Sequence, residues 1–283
     1  MTIYKSFIRP HLDYGDIIYD CPGNATFVQR LESIQYNACL AITGCFRGTS
    51  QEKIYSELGL ESLADRRFTR RMIFFYKIMN NLAPSYLRDY LPARLTRPAN
   101  TRTRNPIYPL NIRTERFRNT FFPYSISKWN ILDSDIRHLP SISTFKKAIF
   151  GFFRPKQNQV FDVPDNQGVI LLNRLRVGFS HLNEHKCRHG FRDTLDPFCG
   201  CRTNSFENTQ HFLLHCSIYS HARQTLFDKL QSIGIIFHPL DPSNFCRLLL
   251  YGDGSLIPNS NKAILTSVVE YFHETGRFSG PLF

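Results

Sequence analysis

The residues best suited to chemistry are three cysteines and one histidine that lie within eighteen positions of one another. Cys199, Cys201, His211 and Cys216 form the pattern C-x-C-x9-H-x4-C. Three thiols and one imidazole are the donor set of a closed tetrahedral Zn²⁺ site. His215 is a rival imidazole, four residues after His211. The sequence therefore predicts one structural zinc and leaves the choice of histidine open.

The elements around this cluster must bring its ligands together. Gly200 separates the first two cysteines, and its lack of a Cβ favours a tight bend. Apolar periodicity predicts a helix over most of 206–233, which carries His211 and Cys216. Their separation of five residues is off the three- or four-residue spacing that places side chains on one helical face. A helix start or a distorted turn is therefore required between them.

A second group of histidines lies just before this cluster. His181, His185 and His189 step by four around Cys187, so a continuous helix would place the imidazoles on one face. A second metal site and a nucleic-acid contact are both open for them. We favour ordinary capping and hydrogen bonding, since the donor and acceptor nitrogens of a neutral imidazole find hydrogen-bond partners in this way.

An acidic trio, Asp13, Asp16 and Asp20, lies near the start of the chain. Two-metal nucleotidyl transfer needs convergent carboxylates. Residues 1–22 are predicted to be extended and irregular, which would place the first two carboxylates on opposite faces. We therefore interpret the trio as loop and capping residues. The sequence also lacks G-x-x-x-x-G-K, G-x-S-x-G and H-E-x-x-H patterns, so no catalytic set is predicted.

Positive charge is concentrated in the first part of the chain. The formal net charge is +12, and residues 1–160 carry 24 basic and 12 acidic residues, whereas 161–283 carry 11 of each. Within 66–118 the counts are 13 and 2. Such a segment attracts polyanions, and its arginines lie among Phe and Tyr. We therefore predict nucleic acid as the partner; the alternative is that the basic residues serve solubility alone.

Two elements carry this charge. A helix predicted from about residue 62 to 80 has four arginines spaced to form one positive face, which we expect to contact phosphates unless it is only a solvated face. They are Arg66, Arg67, Arg70 and Arg71. Residues 92–113 are rich in Pro and Arg and are predicted to be a linker, or an arm that orders on nucleic acid with Arg102 and Arg104 among its contacts.

The overall pattern predicts a mainly α-helical protein in two parts. Residues 1–155 would form a basic helical domain, and 156–283 a C-terminal helical domain with a zinc-knuckle-like cluster. The boundary is placed where Gly, Pro, Asn and Gln crowd 155–168. No apolar run is long enough to span a membrane, and the start lacks the apolar region of a signal peptide. We therefore expect an intracellular protein, nuclear and cytoplasmic, with no membrane partner.

Several segments, taken in order, resemble the reverse transcriptases of non-LTR retrotransposons, the jockey-like LINE elements. The likeness covers most of the chain up to about residue 252. The segments are 6–15 (SFIRPHLDYG), 31–37 (LESIQYN), 57–63 (ELGLESL), 74–78 (FFYKI), 82–87 (LAPSYL), 121–130 (FFPYSISKWN) and 181–186 (HLNEHK).

The resemblance implies the thumb and C-terminal portion of such a polymerase. The family carries its catalytic aspartates in an F-A-D-D-type palm motif that this sequence lacks, which implies a catalytically incomplete fragment and not an enzyme by itself. It also implies a thumb-like helical bundle that holds RNA or DNA template-primer, with the element RNA as a partner. The Cys/His cluster would then be the family's Cys-Cys-His-Cys element.

The chain opens directly onto 6–15, so we expect a piece of a longer protein that lacks palm and fingers. Two alternatives stay open. One is a helical protein-interaction module without nucleic-acid binding, and the other is reverse transcriptase activity only as part of a longer chain.

Overall fold

A computed structural model of the chain describes residues 1–92, 107–151, 163–194, 196–201, 203–236 and 241–279. Within these ranges the protein is mainly α-helical, as predicted, and has no β-strand. The helices are α1 (Arg9–Asp13), α2 (Asp16–Tyr19), α3 (Ala25–Thr43), α4 (Gln51–Leu58), α5 (Leu63–Met79), α6 (Glu115–Arg118), α7 (Phe121–Ile131), α8 (Ser134–Arg137), α9 (Ile142–Gly151), α10 (Asn166–Val177), α11 (Asn183–Arg188), α12 (Ser220–Ser232), α13 (Pro242–Tyr251) and α14 (Pro258–Thr275). Shorter π-helical turns span Tyr4–Ile8 and His211–His215, and 3-10 turns span Ser85–Arg88 and Ser217–Tyr219. Among the described helices, none has the length and apolarity needed to cross a membrane.

The chain divides into two compact units. The first unit comprises Met1–Ala38 and Gly59–Pro155, and the second comprises Cys39–Leu58 and Lys156–Phe283. Residues 39–58, which the sequence analysis placed in the first part, thus group with the second unit. Within that unit Glu57 of α4 pairs with Arg176 of α10 at 3.2 Å, and Lys53 donates a hydrogen bond to the Val177 carbonyl at 2.9 Å.

Local sequence signals set the ends of the two long helices near the start. The backbone N–H of Phe27 donates to the Asn24 side chain at 3.0 Å at the beginning of α3. Gly44 follows α3 with a φ of +66°, a left-handed conformation in which glycine avoids the Cβ clash. At α5 the side chain of Ser62 accepts from the N–H of Asp65 at 3.0 Å. The side chains of Asn24 and Ser62 thus each accept from a backbone N–H that a helix start would otherwise leave without a partner.

The first unit has an aromatic core. Phe75 and Tyr76 of α5 pack against Trp129 of α7 and Phe145 of α9, and all four side chains are at most 4% exposed. The rings of Tyr76 and Phe145 stack with their centroids 4.4 Å apart, and Phe75 meets Trp129 edge-on at 5.3 Å. The side of α5 that carries Phe75 and Tyr76 is therefore buried in this core.

Residues at the start of the chain are helical, whereas the sequence predicted an extended segment. The first π-helical turn and α1 and α2 occupy most of 2–19, and Gly15 links α1 to α2 with a φ of +68°. Tyr4 and Leu12 are buried, and the Tyr4 hydroxyl donates to the side chain of Gln35. These helices are short and depend on tertiary contacts, which periodicity does not report.

The second unit packs its helices around one apolar core. Phe212, Leu249 and Val268 are fully buried there. Helices α10 and α14 approach closely at Gly168, because a Cβ built on this glycine would lie 2.1 Å from Cγ1 of Val269. This core lies directly behind the Cys/His cluster through Phe212, which follows His211 in sequence.

Candidate metal centre and the arginine face of α5

Cys199 and Cys201 lie in a hairpin closed by a single antiparallel bridge between Phe198 and Phe206. The backbone N–H of Cys199 donates to the Ser205 carbonyl at 2.9 Å. The two phenylalanine rings stack with their centroids 5.1 Å apart. The bridge therefore fixes where the loop starts and returns, and both thiols are held inside it.

The tight turn of this hairpin uses a different residue from the one expected. Gly200 has no left-handed φ, and a Cβ built on it would meet nothing within 4 Å. Asn204 instead has a φ of +48°. Asparagine tolerates this region better than most residues, because its short side chain bonds locally. The left-handed residue of this turn is thus Asn204, two positions before Phe206 of the bridge, and not Gly200.

His211 and Cys216 are brought together by a π-helical turn. The backbone N–H of Cys216 donates to the His211 carbonyl at 2.8 Å, which is the five-residue step of a π-helix. On a regular α-helix of 3.6 residues per turn, five residues would leave the two side chains about 140° apart. The segment 206–233 is helical over most of its length, as predicted, but it is not one regular helix: a π-turn and a 3-10 turn come first, and α12 begins only at Ser220. The π-turn is the distorted turn that the spacing required.

The four ligand atoms converge. The Sγ atoms of Cys199 and Cys216 are 3.6 Å apart, Cys201 Sγ lies 3.4 Å from His211 Nε2, and all four atoms fall within 4.8 Å of one another. Atoms on a tetrahedron with bonds of about 2.3 Å stand about 3.8 Å apart. All four residues are buried, whereas His215 is exposed and outside the group. The cluster could therefore hold a metal ion.

The surroundings of the cluster favour the metal-binding form of two of its four residues, Cys201 and His211. The Thr203 hydroxyl lies 2.9 Å from Cys201 Sγ, and this hydrogen bond lowers the pKa of the Cys201 thiol to about 7. Burial raises the pKa of Cys199 and lowers the pKa of His211, which keeps the imidazole neutral. A cation would deprotonate the remaining thiols, since a coordinating thiol loses its proton. Arg223 donates to the Cys216 carbonyl at 2.8 Å and places positive charge beside the thiols.

A buried ion pair ties the hairpin to the segment after α14. Glu207 is 3% exposed and accepts two hydrogen bonds from the guanidinium of Arg277, both at 2.7 Å. The backbone N–H of Asn183, at the start of α11, donates to the same carboxylate at 2.8 Å. Hydrogen bonding to Glu207 raises the pKa of Arg277. The Glu207 carboxylate thus links its own hairpin to the start of α11 and to the segment after α14, next to the Cys/His cluster.

The second group of histidines does not converge. His185 is buried in α11 with Nδ1 2.8 Å from the Ser180 hydroxyl, and burial lowers its pKa to about 4. His189 follows the helix and stacks on Phe179 with the ring centroids 3.7 Å apart. His181 precedes the helix. Across the described part of the chain, the Cys/His cluster around Cys199 is the one group found with metal-ligand geometry.

The arginines of α5 do not form the exposed row that their spacing suggested. Arg67 and Arg71 are buried, at 3% and 1% exposure. Arg66 makes a two-pronged ion pair with Asp13, at 2.7 and 2.9 Å, and a second pair with Glu61 at 2.9 Å. Hydrogen bonding to Asp13 raises the pKa of Arg66.

The other two partners in this network complete the acidic trio. Arg70 pairs with Asp16 at 2.6 Å, and Arg71 pairs with Asp20 at 3.2 Å and lies over the ring of Tyr124. Burial raises the pKa of Asp20 and lowers the pKa of Arg71. The trio therefore pairs with three of the four arginines of α5, whereas the fourth, Arg67, donates a hydrogen bond to the Leu12 carbonyl at 3.4 Å.

The remaining predicted contacts, Arg102 and Arg104, lie outside the described residues. No protein-family model matches the chain, and neither a curated protein nor a solved structure is significantly similar to it. Functional inference therefore rests on the residues of the chain itself.

Proposed function

We propose that the Cys199, Cys201, His211 and Cys216 cluster holds a structural Zn²⁺. Three thiols and one neutral imidazole at tetrahedral separations are donors that suit this ion. Four protein ligands fill its coordination, which favours a structural role over a catalytic one. The ion would join the hairpin to the π-turn, and the free energy of binding would add to that of folding.

We further propose that the chain is the C-terminal, nucleic-acid-binding portion of a non-LTR retrotransposon reverse transcriptase. Three observations support this proposal: the ordered segments that resemble the family, the basic first part, and a Cys/His cluster downstream of it. The template-primer, RNA or DNA, and the element RNA are the proposed partners. Without a palm aspartate motif the chain would not polymerise by itself and would act with palm and fingers, in the nucleus and cytoplasm.

The ion pairs of α5 change where we expect phosphates to bind. Arg66, Arg70 and Arg71 already pair with carboxylates, so their charge is largely cancelled, and Arg67 is buried at 3% exposure, so it is not open to a phosphate. We assign the phosphate contacts to basic side chains that remain exposed in the first unit, together with Arg102 and Arg104. The exposed set is Lys5, Arg30, Arg88, Arg113, Arg116, Arg118, Lys146 and Lys147.

Metal analysis of the purified protein tests the zinc proposal. We expect one zinc per chain, and Cys201→Ser should lose it. Cys187→Ser is the matched control, because Cys187 is exposed and outside the cluster. Zinc retained in Cys201→Ser, or absent from the unaltered protein, would contradict the assignment.

Binding of labelled single-stranded DNA, RNA and RNA–DNA hybrid at increasing salt tests the nucleic-acid proposal. We expect affinity to fall linearly with salt on logarithmic axes, as counterion release requires. Primer extension by the isolated chain should give no product. Incorporated nucleotide would mean that the chain is itself a polymerase.

One observation favours a second candidate, a helical protein-interaction module. Ile3, Phe7, Tyr14 and Ile18 are 70–89% exposed on the short helices at the start of the chain. Exposed apolar residues grouped in this way mark surfaces that bind other proteins. If no single-stranded or hybrid nucleic acid binds at low salt, this candidate replaces the first.

A further inference from the structure

An open cavity of about 540 Å³ lies in the first unit, and five of its eleven lining residues are aromatic, while five others are aliphatic. The rings are Phe74 of α5, Tyr90, Phe117 of α6, and Phe121 and Phe122 of α7. We call it the aromatic cleft. Its volume lies within the range of roughly 300–1,000 Å³ that is typical of small-molecule sites. A single nucleobase with its sugar is well below that size.

The rings present faces to solvent. Tyr90 is 63% and Phe117 is 42% exposed. Tyr90 stacks on Phe122 with the centroids 5.6 Å apart, and Phe121 meets Phe122 edge-on. The Thr120 hydroxyl, which also lines the cleft, already donates to the Phe117 carbonyl. The cleft thus offers ring faces and few free polar groups, which suits a ligand recognised by stacking rather than by its hydrogen-bonding edge.

The charges that flank the cleft are mostly positive. Arg116 and Arg118 lie on either side of Phe117 in sequence, and Arg88 follows the lining residue Leu87. Glu115 pairs with Arg118 at 2.9 Å. The other carboxylates beside lining residues are Asp89, which precedes Tyr90, and Asp16, which precedes Ile17 and pairs with Arg70 at 2.6 Å.

Two arginines are left over for a ligand. Arg113 and Arg116 are exposed and have no ion-pair partner among the described residues. Open ring faces beside uncompensated arginines fit a planar, anionic occupant better than a purely apolar one.

We propose that the aromatic cleft stacks an unpaired base of a single-stranded polynucleotide while the flanking arginines contact its phosphates. This inference rests on the proposed nucleic-acid-binding function and gives it a location. It also supplies basic contacts in place of the arginines of α5, of which Arg66, Arg70 and Arg71 are paired with carboxylates and Arg67 is buried.

The test compares a labelled single-stranded oligonucleotide with one of the same length that lacks bases, by fluorescence anisotropy. Tyr90→Leu and Phe117→Leu remove an exposed ring and keep an apolar side chain. Tyr86→Leu is the matched control: Tyr86 is 60% exposed, lies in the same 3-10 turn region and does not line the cleft. Circular dichroism should give the same melting temperature for all three variants.

We expect each cleft variant to bind the base-bearing oligonucleotide about 5- to 100-fold more weakly, which is the usual effect of losing one stacking ring. Binding of the abasic strand should change less than twofold, and Tyr86→Leu should match the unaltered protein. If the protein binds both strands equally, or if the cleft variants behave like Tyr86→Leu, the cleft does not stack bases although the nucleic-acid function stands. If neither strand binds at all, both proposals are wrong. An acidic, leucine-containing peptide that binds the cleft while the oligonucleotide does not would assign it to a protein partner and overturn the inference.

Discussion

Replacing Arg71 with alanine is expected to destabilise the first unit by about 3–5 kcal/mol, the usual effect of removing one partner of a buried ion pair. Its guanidinium is 1% exposed, pairs with Asp20 at 3.2 Å and lies 4.8 Å from the ring centre of Tyr124. Without it the Asp20 carboxylate, whose side chain is 8% exposed, loses its ion-pair partner, and only the charge of Arg67 still acts on it from nearby. Since domains are stable by only about 5–15 kcal/mol, this loss is large.

The chain carries its own probe for this measurement. Trp129 is the single tryptophan and is 4% exposed in the core of the first unit. Its fluorescence during a urea titration therefore reports unfolding of that unit rather than of the second. Arg30→Ala is the control, because Arg30 is exposed on α3 and should change the free energy of unfolding by less than about 0.5 kcal/mol.

A double substitution sharpens the same prediction. Arg71→Met with Asp20→Leu removes both charges and fills the space with apolar groups, and should recover most of the lost stability. The reasoning is refuted if Arg71→Ala unfolds at the same urea concentration as Arg30→Ala but binds single-stranded DNA much more weakly than the unaltered protein does. In that case Arg71 would face phosphate, as the sequence first suggested.

Three further perturbations test other parts of the structure. Glu207→Gln removes a charge from a buried, bidentate hydrogen-bonded pair and should lower the free energy of unfolding by about 2–3 kcal/mol in thermal melts; a loss below 0.5 kcal/mol would contradict the burial described here. His185 should titrate near pH 4 by NMR, so below pH 6.5 the unfolded chain binds a proton that the folded protein refuses, and stability falls by up to about 3 kcal/mol between pH 6.5 and 4. A midpoint above 6 would show that this imidazole is not buried. Gly168→Ala should destabilise the second unit by about 1–3 kcal/mol, because the new Cβ overlaps Val269. Gly254→Ala, where a Cβ meets nothing within 4 Å, should be close to neutral.

The parts of the fold that could be predicted are those with local causes. A helix was predicted from about residue 62 to 80, and α5 spans Leu63–Met79. The ends of α3 and α5 have causes of the same local kind, because Asn24, Gly44 and Ser62 each act within a few residues of a helix end. The Cys/His cluster was predicted for the same reason, since its four residues lie within eighteen positions and their chemistry is specific, and the structure brings their ligand atoms together.

The parts that could not be predicted depend on residues far apart in sequence. The arginines of α5 looked exposed because their partners, Asp13, Asp16 and Asp20, lie about fifty residues earlier. The helices within residues 1–22 were not predicted for the same reason. They are short and lie near Pro10 and Gly15, so they depend on packing against α5, which is far away in sequence. The spacing of charges along a helix shows which side chains share a face, but it does not show whether other residues cover that face.

The His211–His215 turn contributes both to the Cys/His cluster and to the apolar core, and this matters for the stability of the protein when metal is scarce. His211 faces the ligands, while Phe212, Leu213 and Leu214 are at most 5% exposed in the core of the second unit. If the cluster holds the proposed zinc, loss of the ion would loosen a turn whose other side closes that core, and we expect chelation to expose the core to hydrophobic dyes. In a zinc-starved cell such a chain would attract chaperones and proteases, so its abundance would follow the zinc supply.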